Sequence, residues 1–137
     1  MDRYTIEEND LFRPAFELAN QIARTAGDPV ATNKVYEECD PKAYDFYCKL
    51  VNYSDEQEVV GKAIYSNENG LNVPKDAAIH DAGCGTGLIG KILFEHGFTN
   101  IHGSDASQNL VETVKKSGWY KDAQCIWMGT GSLPDNL

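Results

Sequence analysis

Ile79-His80-Asp81-Ala82-Gly83-Cys84-Gly85-Thr86-Gly87 is the stretch that decides the fold of this chain. A short apolar run ends on a carboxylate, Asp81, and passes into three glycines at alternate positions. Glycine has no Cβ, so such a loop can take positive φ and bring backbone N–H groups close to a ligand. A helical apolar pattern then runs over 88–96, and the N-terminus of a helix favours an anionic group. Asp105 follows a second strand-like stretch, Asn100-Ile101-His102-Gly103-Ser104, placing another carboxylate at the end of another strand.

Competing nucleotide-binding readings of the loop are separated by its neighbours. Gly85-Thr86-Gly87-Leu88-Ile89-Gly90-Lys91 has the spacing of a phosphate-binding P-loop. Ile92, however, stands where such a loop needs a Ser or Thr for Mg²⁺. Gly85-x-Gly87-x-x-Gly90 also fits the dinucleotide fingerprint, with Asp105 at about the interval of a ribose-binding acid. Asp81 argues against a pyrophosphate there, because a carboxylate beside the glycine turn repels an anion and attracts a cationic ligand group.

Outward from the loop, strands and helices alternate. Strands are expected over 77–82, 100–104 and 124–128. The first connecting helix turns Ile89, Ile92 and Leu93 to the sheet and stops at Gly97; the second is capped by Ser107, carries Leu110, Val111 and Val114, and ends at Gly118. This β-α-β-α-β order with short connections predicts a parallel sheet and an α/β fold.

The preceding third reads as helical. Thr5-x-x-Glu8 is a capping box, followed by an apolar face of Leu11, Ala15, Leu18, Ala19 and Ile22 that ends near Gly27. Pro14 is tolerated in such a helix only in its first turn. Asp40-Pro41 reads as an N-cap and a helix-starting proline, with Tyr44, Tyr47 and Val51 on one face. Ser54-x-x-Gln57 opens a further helix that buries Val59, Val60, Ala63 and Ile64, and 67–72 is a turn-rich break. The expected organisation is a helical segment over 1–73 and a nucleotide-binding unit over 74–137.

Composition narrows the class. With 137 residues and 42% apolar content, the chain can build a real core. The absence of a long apolar run or a signal-peptide pattern predicts a cytoplasmic protein with no membrane partner. Cysteines at 39, 48, 84 and 125 show no C-x-x-C pair and read as reduced thiols, with no metal site expected. A net charge of −9 argues against direct nucleic-acid binding. His80, His96, His102, Trp119 and Trp127 read as structural residues.

Asp81-Ala82-Gly83-Cys84-Gly85-Thr86-Gly87 resembles motif I of the class I S-adenosylmethionine (SAM)-dependent methyltransferases. The ammonium and sulfonium of SAM are the cationic groups that Asp81 would attract. Asp105 resembles the acid that binds the ribose hydroxyls in that family, a role preferred over capping the following helix. Tyr36 and Tyr44 read first as core or surface aromatics, but they resemble a tyrosine-rich leading segment of many such enzymes. Gly118-Trp119-Tyr120 and Ser132-Leu133-Pro134 resemble the methyltransferase-like proteins of the Williams–Beuren region. The resemblance covers roughly 35–137, with its specific part at 79–107.

The resemblance implies a Rossmann-like class I methyltransferase fold, SAM as cofactor, and a small-molecule or protein methyl acceptor. It implies cofactor contacts from Asp81, Gly83, Cys84, Gly85, Gly87, Asp105 and Ala106, with Thr130, Tyr36 and Tyr44 beside them. Thr130 departs from the acid that many relatives place near the adenine. No catalytic base is identified. Against the family's strand order 3-2-1-4-5, the chain stops after its third strand, so the sheet is expected to be incomplete and weakly active alone. Its open edge is then expected to be covered by a second copy, by a partner chain or by its own N-terminal segment, unless the chain is a fragment of a longer enzyme. The competing reading is a catalytically inactive methyltransferase-like subunit that docks through that edge.

Overall fold

The structure, a computed structural model, describes residues 4–66, 68 and 70–128. It divides into two compact units, Met1–Tyr53 and Ser54–Leu137. The unit that carries the sheet starts at Ser54.

In the first unit, helix α1 spans Ile6–Arg24. Thr5 Oγ1 accepts from the Glu8 N–H at 3.1 Å, and the Glu8 carboxylate accepts from the Thr5 N–H at 2.8 Å. This reciprocal cap fixes the helix start so early that Pro14 falls in the interior, not in the first turn as expected. The helix forgoes the hydrogen bond that residue 14 would give the Asp10 carbonyl. Burial of the neighbouring Ala15 and Leu18 offsets that loss.

Helix α2, Pro29–Glu38, was not foreseen, although Asp28-Pro29 repeats the signal read at Asp40-Pro41. Asp28 Oδ1 accepts from the N–H groups of Val30 and Ala31, both at 2.9 Å. Helix α3, Pro41–Leu50, starts as expected at Asp40. Its buried face differs from the expected one: Ala43, Phe46 and Cys48 are buried, Tyr44 and Tyr47 are half-buried, and Val51 is exposed. Phe46 decides the rotation, because its ring meets Phe12 of α1 edge-to-face at 4.9 Å and Tyr4 at 5.7 Å.

Helix α4 spans Tyr53–Tyr65, and all but its first residue belongs to the second unit; the expected Ser54 cap lies outside the described side chains. Val59, at 68% exposure, Val60 and Ala63 are exposed, contrary to expectation. The face turned inward instead contains Gly61, where an added Cβ would lie 2.6 Å from Ile92, and Ile64 and Tyr65. Tyr65 stacks on His96 with centroids 3.6 Å apart. Ile92 thus meets α4, not the sheet.

Strands β1 (Ile79–Ala82), β2 (Ile101–Asp105) and β3 (Asp122–Cys125) form a parallel sheet in the order β1-β2-β3. Helices α5 (Leu88–Glu95) and α6 (Gln108–Ser117) connect them, so the fold is α/β. This is the order of one half of a doubly wound Rossmann-like sheet. β3 lies earlier than the expected 124–128, because β2 ends at Asp105 and its partner register ends at Cys125. Ile126 makes one last bond to the Asp105 carbonyl, and Trp127 and Met128 lie exposed beyond it.

Two apolar clusters support the sheet. Leu93, Phe98 and Ile101 form one; Cys84, Val111, Val114 and Ala123 form the other. The Tyr120 ring packs against both. Among the described residues no helix is long and apolar enough to cross a membrane.

Candidate functional site

Adjacent parallel strands end at the same side of the sheet, and the two carboxylates stand there. Asp81 lies in β1 beside Gly103 of β2, and Asp105 closes β2 beside Cys125 of β3. The glycine loop folds over the end of β2: the N–H groups of Gly83 and Cys84 both donate to the Ser104 carbonyl, at 2.7 and 3.0 Å. Gly85 and Gly87 take φ of 54° and 89°, a conformation that side-chain-bearing residues adopt at a cost.

Asp105 pins this loop. Its Oδ2 accepts from the Gly85 N–H and its Oδ1 from the Ser107 N–H, both at 2.9 Å. Each oxygen keeps a further lone pair for a ligand. Helix capping of α6 belongs to Ser107, whose Oγ accepts from the Leu110 N–H at 3.2 Å. Asp81 is placed differently. Its Oδ2 accepts from the Tyr120 hydroxyl at 2.5 Å, and Oδ1 has no hydrogen-bond partner among the described residues. Burial pushes the Asp81 carboxyl above the usual carboxylate range, the Tyr120 bond and His80 pull it back, and Asp105 pushes it up again. Neither acid forms a salt bridge among the described residues. The end of the sheet is consequently an acidic site lined by glycine backbone, suited to a ligand with a cationic group and hydroxyls.

The structure brings Asp81, Gly83, Cys84, Gly85, Gly87, Asp105 and Ala106 together at this end of the sheet. Cys84 joins through its backbone, because its side chain is buried with Val111, Val114 and Ala123. Burial, then the charges of Asp105 and Asp81, push that thiol up to about 12, where it is inert. The Ala106 carbonyl accepts from the Cys125 thiol at 3.4 Å. Tyr36 and Tyr44 meet each other edge-to-face at 5.7 Å, within the first unit. Thr130 and the Ser132-Leu133-Pro134 turn lie outside the described residues.

Tyr120 is the residue that sequence reasoning did not assign to the site. Its hydroxyl donates to Asp81 and accepts from the Gly90 N–H at 3.1 Å. Helix α5 begins at Gly87 and has no capping side chain of its own, so this phenol serves its first turn. Gly90 is required by the same packing, since a Cβ there would lie 2.2 Å from the Tyr120 ring. The third glycine of Gly85-x-Gly87-x-x-Gly90 therefore makes room for an aromatic ring. An available signal was a tyrosine two residues after the helix-ending Gly118, with an apolar body and a polar tip. The histidines have structural partners: His80 Nε2 shares a 2.8 Å hydrogen bond with the buried Ser104 hydroxyl, and His102 Nε2 pairs with Asn100. Among the described residues no cluster of His, Cys, Asp and Glu could hold a metal ion.

Comparison with known proteins adds a partial relation. Human methyltransferase-like protein 27 is 36% identical to this chain over 61 residues, which make up 44% of this chain and 25% of the relative. The matched segment spans about a quarter of the length of that curated relative. No family model and no solved structure matches the chain. Over part of its length, the chain is thus related to a methyltransferase-like protein.

Proposed function

We propose that the acidic site at the end of β1 and β2 binds S-adenosylmethionine and that the chain carries the cofactor-binding part of a methyltransferase. The observation that carries this reading is the pairing of two carboxylates, neither in a salt bridge among the described residues, across a loop of glycine backbone, with Asp105 bonded to the Gly85 N–H. The partial relation to a methyltransferase-like protein supports it. The donors fit the cofactor chemically. Oδ1 of Asp81 would accept from the ammonium, the lone pairs left on Asp105 would accept from ribose hydroxyls, and the loop would allow close backbone approach.

When bound, SAM supplies a methyl group on a positive sulfur that a nucleophile can take directly. The chain's own contribution is binding and alignment, which for such a transfer accounts for much of the catalysis. Asp105 holds the loop in shape while offering charge to the ligand, so one side chain links preorganisation to affinity. The acceptor is a small molecule or a protein.

Calorimetry with S-adenosylhomocysteine, the demethylated product, tests the proposal against NAD. Binding of the former with no heat from the latter is expected. Asp105→Ala should weaken binding by roughly 1.5–3 kcal/mol, the value of charge-assisted hydrogen bonds. Binding of NAD alone would replace this reading with a dinucleotide enzyme. Binding of neither would favour an inactive methyltransferase-like subunit.

A further inference from the structure

We infer that Tyr120 is a positioning residue of the cofactor site, whose hydroxyl holds Oδ2 of Asp81 so that Oδ1 is left aimed at the ligand's ammonium. The inference rests on the SAM reading above and deepens it. Tyr120 stands 39 residues from Asp81 in sequence and is brought to it by the docking of the segment before β3. Its ring is fixed on several sides. It packs against both apolar clusters, and a Cβ at Gly103 or Gly87 would lie 3.1 or 3.0 Å from it.

A ring held in this way presents its hydroxyl at one point. There the hydroxyl has one proton to donate, given to Asp81, and it accepts one from the Gly90 N–H. The acceptor bond orients the donor bond, because the phenolic oxygen that receives the Gly90 N–H must turn its own proton elsewhere. A carboxylate on a strand end would otherwise rotate about its terminal torsion, which has broad wells. Locking Oδ2 therefore selects one rotamer of Asp81 before any ligand arrives, which lowers the ordering cost of binding. No other residue among those described hydrogen-bonds the Asp81 carboxylate.

The test separates the amino-acid end of the ligand from its nucleoside end. Tyr120→Phe keeps the ring and removes both hydrogen bonds. S-adenosylhomocysteine and 5′-methylthioadenosine serve as probes, the second lacking the ammonium and carboxylate. Tyr120→Phe should weaken S-adenosylhomocysteine about 10-fold and leave methylthioadenosine within about twofold of the parent. Asp81→Asn, which keeps an acceptor for the phenol, should show the same selectivity. The double variant should lose less than the product of the two single losses, because both changes act on one contact. Equal weakening of both probes, unchanged affinity for S-adenosylhomocysteine, or fully multiplicative losses would overturn the positioning role alone. A parent chain that binds neither probe would overturn the SAM reading and this inference with it.

Discussion

One helix of the α/β unit begins differently from those of the helical unit, and the contrast locates the site. In the helical unit, α1, α2 and α3 each start with a side chain that satisfies their first N–H groups: Thr5, Asp28 and Asp40. In the α/β unit α6 does the same with Ser107, but α5 starts at a left-handed Gly87 that offers no capping side chain. A helix that caps itself is closed to ligands at that end. Helix α5 leaves its first turn to partners from elsewhere, and Tyr120 supplies one of them.

The contrast is broken most severely at Gly90. Gly90→Val forces a branched side chain into the space of the Tyr120 ring and should cost about 3 kcal/mol or more. Urea unfolding followed by the fluorescence of Trp119 and Trp127, both in that unit, would measure it. Adding Tyr120→Ala should recover part of the loss; a Gly90→Val variant as stable as the parent would show that the ring is not fixed there.

Gly87→Ser sharpens the comparison, because serine is a preferred N-cap yet should destabilise α5. At φ 89° a Cβ is strained, and it would lie 3.0 Å from the Tyr120 ring and 3.3 Å from Val114, so a cost of about 1–2 kcal/mol is expected. Asp28→Ala, at a self-capped helix, should cost about 1 kcal/mol by simple loss of its cap. If Gly87→Ser raised the thermal midpoint, α5 would be an ordinary helix with a poor cap.

The smallest effect belongs to Asp81, whose carboxyl is pushed up by burial while the Tyr120 bond offsets part of that push. A raised folded-state value means that the native chain binds more protons than the unfolded one across the interval between the ordinary carboxylate value and the raised one. Stability contributed by this group is therefore present below that interval and falls as pH rises through it. Asp81→Asn should remove the falling segment from a plot of unfolding free energy against pH. An unchanged slope would place the titration on another group.

Local signals were legible wherever one residue type answers one backbone need. Thr5 with Glu8, Asp40 with Pro41, Ser107, Gly97 and Gly118 all mark helix ends in the structure as they do in the sequence. Asp28-Pro29 carries the same information at the start of α2. The rotation of α3 and α4 was not legible. Periodicity identifies an apolar stripe, but Phe46 against Phe12 and Gly61 against Ile92 choose which part of it is buried.

At the site, the sequence by itself determined the strand-ending acids and the glycine loop between them, because a tight turn at positive φ admits few residues other than glycine. It also determined the parallel β-α-β-α-β order, through short connections and alternating periodicities. Only the tertiary structure decided that Asp105 is spent partly on holding Gly85, that Cys84 turns into the core, and that Asp81 is held by Tyr120. These are contacts between residues 20 to 39 positions apart. No local pattern encodes them, because they exist only once packing has brought the strand ends together.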